Sequence, residues 1–172
     1  HSARDPLRDH VHGRVYRITY PARPLVVPAE IHGAAIPVLL DHLKLPEYRT
    51  RYRTRRELRG RSKEQLLPAL KQWTAGLDSS APGHELHLLE ALWVSWGHDA
   101  VDVSLLERLL AAKDFRARTG AVRVLRYVGH QVPDQAALLM NAIADDHGRV
   151  RLEAIAAASW LKPRQALSII EE

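Results

Sequence analysis

The sequence predicts an all-α fold of about four stacked helical hairpins, and three observations support this prediction. An Arg-x-Arg pair followed by an Ala-rich apolar stretch occurs at Arg116 and Arg118 and recurs 33 residues later at Arg149 and Arg151. A related stretch, "EYRTRYRTRREL", lies about two such steps upstream. From about Val38 onward apolar residues recur at i, i+3/i+4 and i+7, the spacing of one helix face. A repeat of about 33 to 35 residues is typical of stacked helical hairpins.

The N-terminal part of the chain predicts one strand. β-branched and aromatic residues are dense in "GRVYRITY", residues 13–20, and that density is typical of strands. No later stretch has a β pattern, so the strand has no partner within the chain. We therefore expect residues 13–20 to be an orphan strand at the end of segment 1–20, which either belongs to a neighbouring domain or pairs only loosely here.

Residues 21–37 predict an extended linker, because four prolines and Gly33 prevent a continuous helix.

The helical domain is expected over 38–172, truncated at its C-terminus, with an apolar end that invites self-association. Ser62 with Gln65 predicts a capping box, and Asp102 predicts a helix cap. The predicted helices cover 36–45, 48–59, 62–77, 83–96, 103–113, 115–129, 134–145, 148–161 and 163–172.

The composition excludes several classes of site. The 172 residues contain no Cys, which excludes disulfides, thiolate metal sites and a Cys nucleophile. No apolar stretch approaches the roughly 20 residues that span a bilayer. The net charge of +5 comes mainly from Arg, and seven Arg fall between Arg49 and Arg61. Such a stripe either binds acidic groups or is a solvated helix face balanced by nearby carboxylates, and the second interpretation is favoured.

The last repeat resembles the second helix of a HEAT repeat. The pattern D-x-x-x-x-V-R-x-x-A-x-x-A is matched by Asp145, Val150, Arg151, Ala154 and Ala157. The resemblance implies that small Ala residues let adjacent helices approach closely. It also implies a ladder in which Arg and Asp pair between repeats; the residues expected in it are Arg51, Arg118, Arg151, Asp114 and Asp145.

Four longer stretches resemble a narrower family: "RDPLRDHVHGRVYRITYPARPLV", "YRTRYRTRREL", "HELHLLEALWV" and "RVRLEAIAAAS". They are similar to the HEAT-repeat region of large secreted dehydrogenase-like proteins of planctomycetes and verrucomicrobia. In that family a β-propeller similar to glucose/sorbosone dehydrogenases precedes the repeats, and a haem-binding domain with a CxxCH motif often follows. The resemblance implies that residues 1–20 are a propeller remnant ending in its last strand, and that the protein is periplasmic or secreted.

On this resemblance the segment is a non-catalytic scaffold without a cofactor of its own. The chain has no CxxCH motif, so haem attachment and any dehydrogenase chemistry lie in other domains. The expected partner is a protein: the propeller, the haem domain or another subunit. No nucleophile elbow, phosphate-binding loop, dinucleotide-binding glycine series or H-E-x-x-H motif occurs.

The second helices of the hairpins are expected to line a concave surface. Polar and aromatic residues on these helices suit the binding of a ligand or partner, because Arg pairs with carboxylates or phosphates and aromatic rings stack. Ordinary side-chain pairing on one helix surface, as among His84, His87 and Glu90, explains some of these polar residues equally well. This interpretation is favoured over ligand binding. The candidates for this surface are Arg53, Arg56, His87, Glu90, Trp93, Arg123 and Tyr127.

The N-terminal "HSARDPLRDHVHG" offers imidazoles and carboxylates, which are ligands for a metal such as zinc. The residues are His1, Asp5, Asp9, His10 and His12. Solvated side chains in a loop explain the same residues, and this interpretation is favoured.

The alternative function is DNA binding. HEAT-like folds also occur in alkylpurine DNA glycosylases, and the basic charge and four Trp of this chain permit such a role. The strand, the linker and the Arg residues assigned to the ladder count against it, so a nucleic acid is the less favoured partner.

Overall fold

The computed structural model describes residues 5–7, 9, 11–13, 15–162 and 166. This part of the chain contains helices and no β-strand, so the predicted all-α fold is confirmed. The helices are α1 (Ile36–His42), α2 (Tyr48–Arg59), α3 (Lys63–Ala75), α4 (His84–Gly97), α5 (Val103–Leu110), α6 (Phe115–Val128), α7 (Gln135–Ile143) and α8 (Gly148–Ala158), with a 3₁₀ turn at Gly129–Gln131.

The eight helices pair in chain order into four hairpins. Helix α2 packs on α4, α4 on α6 and α6 on α8, so the second helices form one continuous layer. The first helices lie on the other side, where α1 packs on α3. This arrangement, in which each hairpin packs on the next one along the chain, fits an α-superhelix.

Helix α4 joins the two hydrophobic clusters of the core. The first cluster lies between α1 and α4 and includes Leu39, Leu58 and Leu66. The second extends from α4 to α8 around Leu106 and Leu125. Because α4 has neighbours on both sides in its layer, its residues enter both clusters: Ala91 and Val94 the first, and Leu88, Leu89 and Leu92 the second.

Side chains cap several of the helices. Asp102 accepts a hydrogen bond from the Leu105 N–H at the start of α5, as predicted, and Asp114 caps α6 in the same way. The predicted capping box at Ser62 does not form, because the Ser62 hydroxyl donates to the Glu64 carboxylate at 2.6 Å instead.

The predicted strand does not form within the described part of the chain, and its pairing with a neighbouring domain stays a prediction. Residues 15–20 have no regular secondary structure, and the side chains of Val15 and Ile18 are fully exposed. A strand satisfies its backbone N–H and C=O groups on a neighbouring strand, and the described part of the chain offers none.

The helical unit begins earlier than residue 38. Ile31, Ala34 and Ile36 pack against the first core cluster, and α1 starts at Ile36. Two bonds tie this stretch to the end of α2: the Gly33 N–H donates to Glu57 at 3.2 Å, and Arg61 donates to the Ala34 carbonyl at 2.8 Å. Of the predicted C-terminal helix only Ala166, which is helical, lies within the described residues.

No helix in the described ranges is both long and apolar enough to cross a membrane.

Gly120 allows α6 to approach α4 closely. A Cβ placed on Gly120 would lie 2.6 Å and 2.8 Å from the two terminal carbons of Leu89. Leu89 is itself buried in the second core cluster and has little room to move. The absence of a side chain at Gly120 therefore sets the spacing of these two helices.

We expect Gly120→Ala to lower the free energy of unfolding by about 1–3 kcal/mol, because the clash with Leu89 outweighs the higher helix propensity of Ala. Urea unfolding followed by circular dichroism measures the change. Gly76→Ala is the matched control, since a Cβ there meets only ordinary contacts at 3.6 and 3.7 Å. Equal stability of Gly120→Ala and the wild type would contradict this packing.

Candidate functional site

Three arginines occupy the same place in three of the four hairpins. Arg51, Arg118 and Arg151 are each the fourth residue of a second helix. The Nη1 of each donates to two successive carbonyls of the turn before that helix. The acceptors are Leu45 and Pro46 for Arg51, Ala112 and Lys113 for Arg118, and Asp145 and Asp146 for Arg151, all at 2.7 to 3.0 Å. Each guanidinium thus fixes the turn of its own hairpin.

Two of these arginines also reach the next hairpin. Arg51 donates from Nε to Glu90 on α4 at 2.9 Å. Arg118 donates to both carboxylate oxygens of Asp145, at 2.7 and 2.9 Å, and to Asp146 at 2.6 Å. The structure therefore brings Arg118 and Asp145 together as ladder partners, whereas the described contacts of Arg151 stay within its own turn.

Asp114 lies outside this ladder. Its carboxylate accepts from the Arg116 N–H and from the Arg116 guanidinium at 2.6 to 3.1 Å. Asp114 is the N-cap of α6, so its carboxylate faces the first turn of its own helix. The contacts of this carboxylate are therefore local.

Glu85 links the second hairpin to the third, where an Arg pair is lacking in the sequence. Its carboxylate accepts from the backbone N–H groups of Lys113 and Asp114 at 2.9 and 2.7 Å. In this link the side chain accepts hydrogen bonds from backbone N–H groups, whereas the arginine side chains donate hydrogen bonds to backbone carbonyls. The sequence analysis did not predict this link between hairpins. The signal that could have indicated it is an acidic residue, Glu85, in the first turn of a predicted helix.

Hydrogen bonds from arginines lower the pKa values of two carboxyl groups that link neighbouring hairpins, Asp145 and Glu153. Hydrogen bonds from the Arg118 guanidinium lower the pKa of Asp145 from 3.8 to about 2. The Arg123 guanidinium likewise lowers the pKa of Glu153. A carboxyl with a lowered pKa stabilises the folded state above its unfolded pKa, and this contribution is lost as the pH falls through the folded value.

We expect Asp145→Asn to cost about 2 kcal/mol of unfolding free energy at pH 7, because the ion pair with Arg118 is lost. The difference in unfolding free energy between Asp145→Asn and the wild type should narrow below about pH 4. It should nearly disappear near pH 2, because Asp145 in the wild type then becomes protonated. Urea unfolding at a series of pH values measures it. Asp146→Asn is the control, since Asp146 is 89% exposed and its pair contributes at most about 1 kcal/mol. A loss for Asp145→Asn that does not depend on pH would contradict this pairing.

Glu90 is a buried ladder residue, although the sequence placed it on the candidate binding surface. Its side chain is only 5% exposed. One carboxylate oxygen accepts from Arg51 at 2.9 Å and the other from Arg55. Both oxygens are therefore engaged by arginines of α2, and Glu90 joins α2 to α4.

His87 and Trp93 line a cleft between the α1–α2 turn and α4, together with Lys44, Pro46 and Arg51. Its volume is about 250 Å³. Burial and then the nearby charge of Lys44 lower the pKa of His87. The neutral imidazole is thus favoured in this cleft.

Three residue pairs cross the layer of second helices side by side. Arg56 and Arg59 lie on α2, Trp93 and Trp96 on α4, and Arg123 and Arg126 on α6. Each pair has i, i+3 spacing, which places its members on one face of their helix. We call these six residues the Arg–Trp–Arg surface.

A groove of about 340 Å³ opens on this surface between α2 and α4. It is lined by Tyr48, Tyr52, Arg55, Arg56, Arg59, Trp93, Val94, Trp96, Gly97 and Arg123. Tyr48 and Tyr52 stack on each other with ring centroids 6.4 Å apart, and the Arg55 guanidinium lies 4.9 Å from the centre of the Trp93 ring. The groove is therefore walled by aromatic rings and rimmed by arginines.

The aromatic rings continue beyond the groove toward α8. Tyr127 stacks on Trp96 at 5.2 Å and meets the edge of Trp160 at 5.5 Å. The Arg126 guanidinium lies 4.2 Å from the centre of the Trp160 ring. The rings of α4, α6 and the end of α8 thus form one continuous strip.

The arginines of the surface differ in whether they have a carboxylate partner. Arg123 donates to both oxygens of Glu153 at 3.0 and 2.8 Å. Among the described residues, Arg56, Arg59 and Arg126 have no carboxylate within ion-pair distance. Arg53 is exposed on α2 and does not line the groove.

The N-terminal imidazoles and carboxylates do not form a metal cluster within the described residues. His12 contacts both oxygens of Asp9 at 3.2 and 3.3 Å. His1 and His10 lie outside the described residues.

No protein-family model, curated protein or solved structure matches this chain.

Proposed function

We propose that this chain is a non-catalytic HEAT-like scaffold that binds a protein partner on the Arg–Trp–Arg surface. The observation behind the proposal is that arginines and aromatic rings lie together on one layer while Arg56, Arg59 and Arg126 lack carboxylate partners among the described residues. Tyr, Trp and Arg are the residue types that contribute most to protein–protein binding.

Two regularities support the HEAT-like assignment. An arginine that fixes the preceding turn occupies the fourth position of α2, α6 and α8. A small residue is fully buried in three successive second helices, namely Ala91, Ala121 and Ala154, and small residues there allow close approach of neighbouring hairpins. The alanines recur at a spacing of roughly one hairpin and the arginines at a spacing of one or two hairpins, as expected for a stacked repeat with one irregular unit.

The wider context is proposed from the family resemblance. The segment would belong to a periplasmic or secreted dehydrogenase-like protein and connect its propeller and haem domains without a cofactor of its own. In this role the uncovered face of the second helices supplies the contact area, because a stack of hairpins presents an extended surface.

We expect a random peptide library displayed on phage to yield ligands that depend on the Arg–Trp–Arg surface. Arg56→Gln with Arg59→Gln should weaken the selected peptides at least about tenfold, which corresponds to about 1.4 kcal/mol. The double variant Lys63→Gln with Lys71→Gln removes the same charge from exposed positions on α3 and serves as the control. Ligands that bind both variants and the wild type equally would contradict the proposal.

DNA binding is the second candidate function, because unpaired arginines beside exposed aromatic rings also suit phosphates and bases. Filter binding of a short duplex across a range of salt concentrations tests it. If DNA is the ligand, the logarithm of the binding constant should fall with the logarithm of salt concentration by about 0.9 per phosphate contact. A flat or absent dependence would remove this candidate.

A further inference from the structure

We infer that the partner segment in the groove is acidic and carries an apolar side chain between its carboxylates. This inference rests on the proposed function and specifies the chemistry of its ligand. The carboxylates would pair with Arg56 and Arg59, and the apolar side chain would lie over Trp93 and Trp96.

The comparison of Arg56 with Arg123 shows what the groove lacks. Arg56 lies five residues after the ladder arginine Arg51, just as Arg123 lies five residues after Arg118. Arg123 is paired with Glu153 on the next second helix. Arg56 therefore occupies the equivalent place in its hairpin without the equivalent carboxylate.

The neighbouring helix cannot supply that carboxylate. Glu90 on α4 already uses one oxygen for Arg51 and the other for Arg55. Arg59 is exposed and lies close to Gly97, where a Cβ would be 3.5 Å from the Arg59 Nε. A carboxylate from outside the chain is the group that complements these two guanidinium forks.

The shape of the groove selects a single large apolar side chain beside those carboxylates. Its volume of about 340 Å³ is at the lower limit of ligand pockets, about 300 Å³. Its walls are the rings of Tyr48, Tyr52, Trp93 and Trp96. An aromatic or aliphatic anchor there would bury its surface against these rings.

The charge of the groove favours a peptide over a nucleic acid. Affinity for a DNA duplex comes largely from the number of phosphates that Lys and Arg side chains neutralise. Two of the four arginines that line the groove already have a carboxylate partner: Arg123 pairs with Glu153, and Arg55 shares Glu90 with Arg51. The remaining charge suits two or three carboxylates close together more than a row of phosphates.

Fluorescence anisotropy tests the inference with a labelled peptide that carries glutamates on both sides of a central phenylalanine. Replacing its glutamates by glutamine should weaken binding to the wild-type protein by about tenfold or more. Arg56→Gln with Arg59→Gln should produce a similar loss, and Tyr52→Ala a loss of several-fold. Lys63→Gln with Lys71→Gln should change the affinity less than about twofold.

Failure of the inference is distinguishable from failure of the proposed function. If the glutamate peptide does not bind but phage-selected peptides bind through this surface, the acidic ligand is wrong and the scaffold function stands. If the glutamine peptide binds equally well, charge pairing is wrong. If labelled oligo-dT binds with the same dependence on Arg56 and Arg59 while the peptide does not, the ligand is a nucleic acid. Circular dichroism confirms that the variants remain folded.

Discussion

The bridging guanidinium is the interaction on which the described architecture depends. Arg118 joins the carbonyls of its own turn to the carboxylates of the next one, and Arg51 does the same toward Glu90. Arg stays charged and presents a planar fork, so one side chain can satisfy several acceptors at once. A buried charge must be paired, and this requirement fixes the register of each second helix against its neighbour.

Helix α4 is the exception in this series, and the candidate groove lies beside it. It has neighbours on both sides and contributes to both core clusters. Its link to the third hairpin is a carboxylate, Glu85, that accepts backbone N–H groups. At the exposed side of the same helix, Trp93 and Trp96 stand between the arginine pairs of α2 and α6. The irregular hairpin is thus the one that provides the aromatic centre of the surface.

The arginines of the ladder and those of the groove have the same sequence appearance and differ in what surrounds them. Arg51 and Arg118 are saturated by carbonyls and carboxylates of the chain. Arg56 and Arg59 have no such carboxylate among the described residues. Desolvated, paired guanidinium groups stabilise the stack, whereas unpaired ones at a groove retain their capacity to bind an acidic ligand. The arginines of the sequence therefore fall into two groups, those paired with carboxylates of the chain and those without such a partner among the described residues.

The sequence by itself determined the helical class, the hairpin order and the shared helix position of Arg51, Arg118 and Arg151, because helix periodicity and repeat spacing are local properties of the chain. Only the tertiary structure decided that Glu90 is buried, that Asp114 is a local cap and that Trp96 joins the groove. Each of these outcomes depends on which side chain of the neighbouring hairpin lies opposite the residue. The repeat spacing around "GHELHLLEALW" does not define how α4 is aligned against its neighbours, so the sequence could not predict these contacts. The strand predicted from "VYRITY" does not form within the described residues for a related reason: β-propensity is realised only against a partner strand, and propensity alone does not supply one.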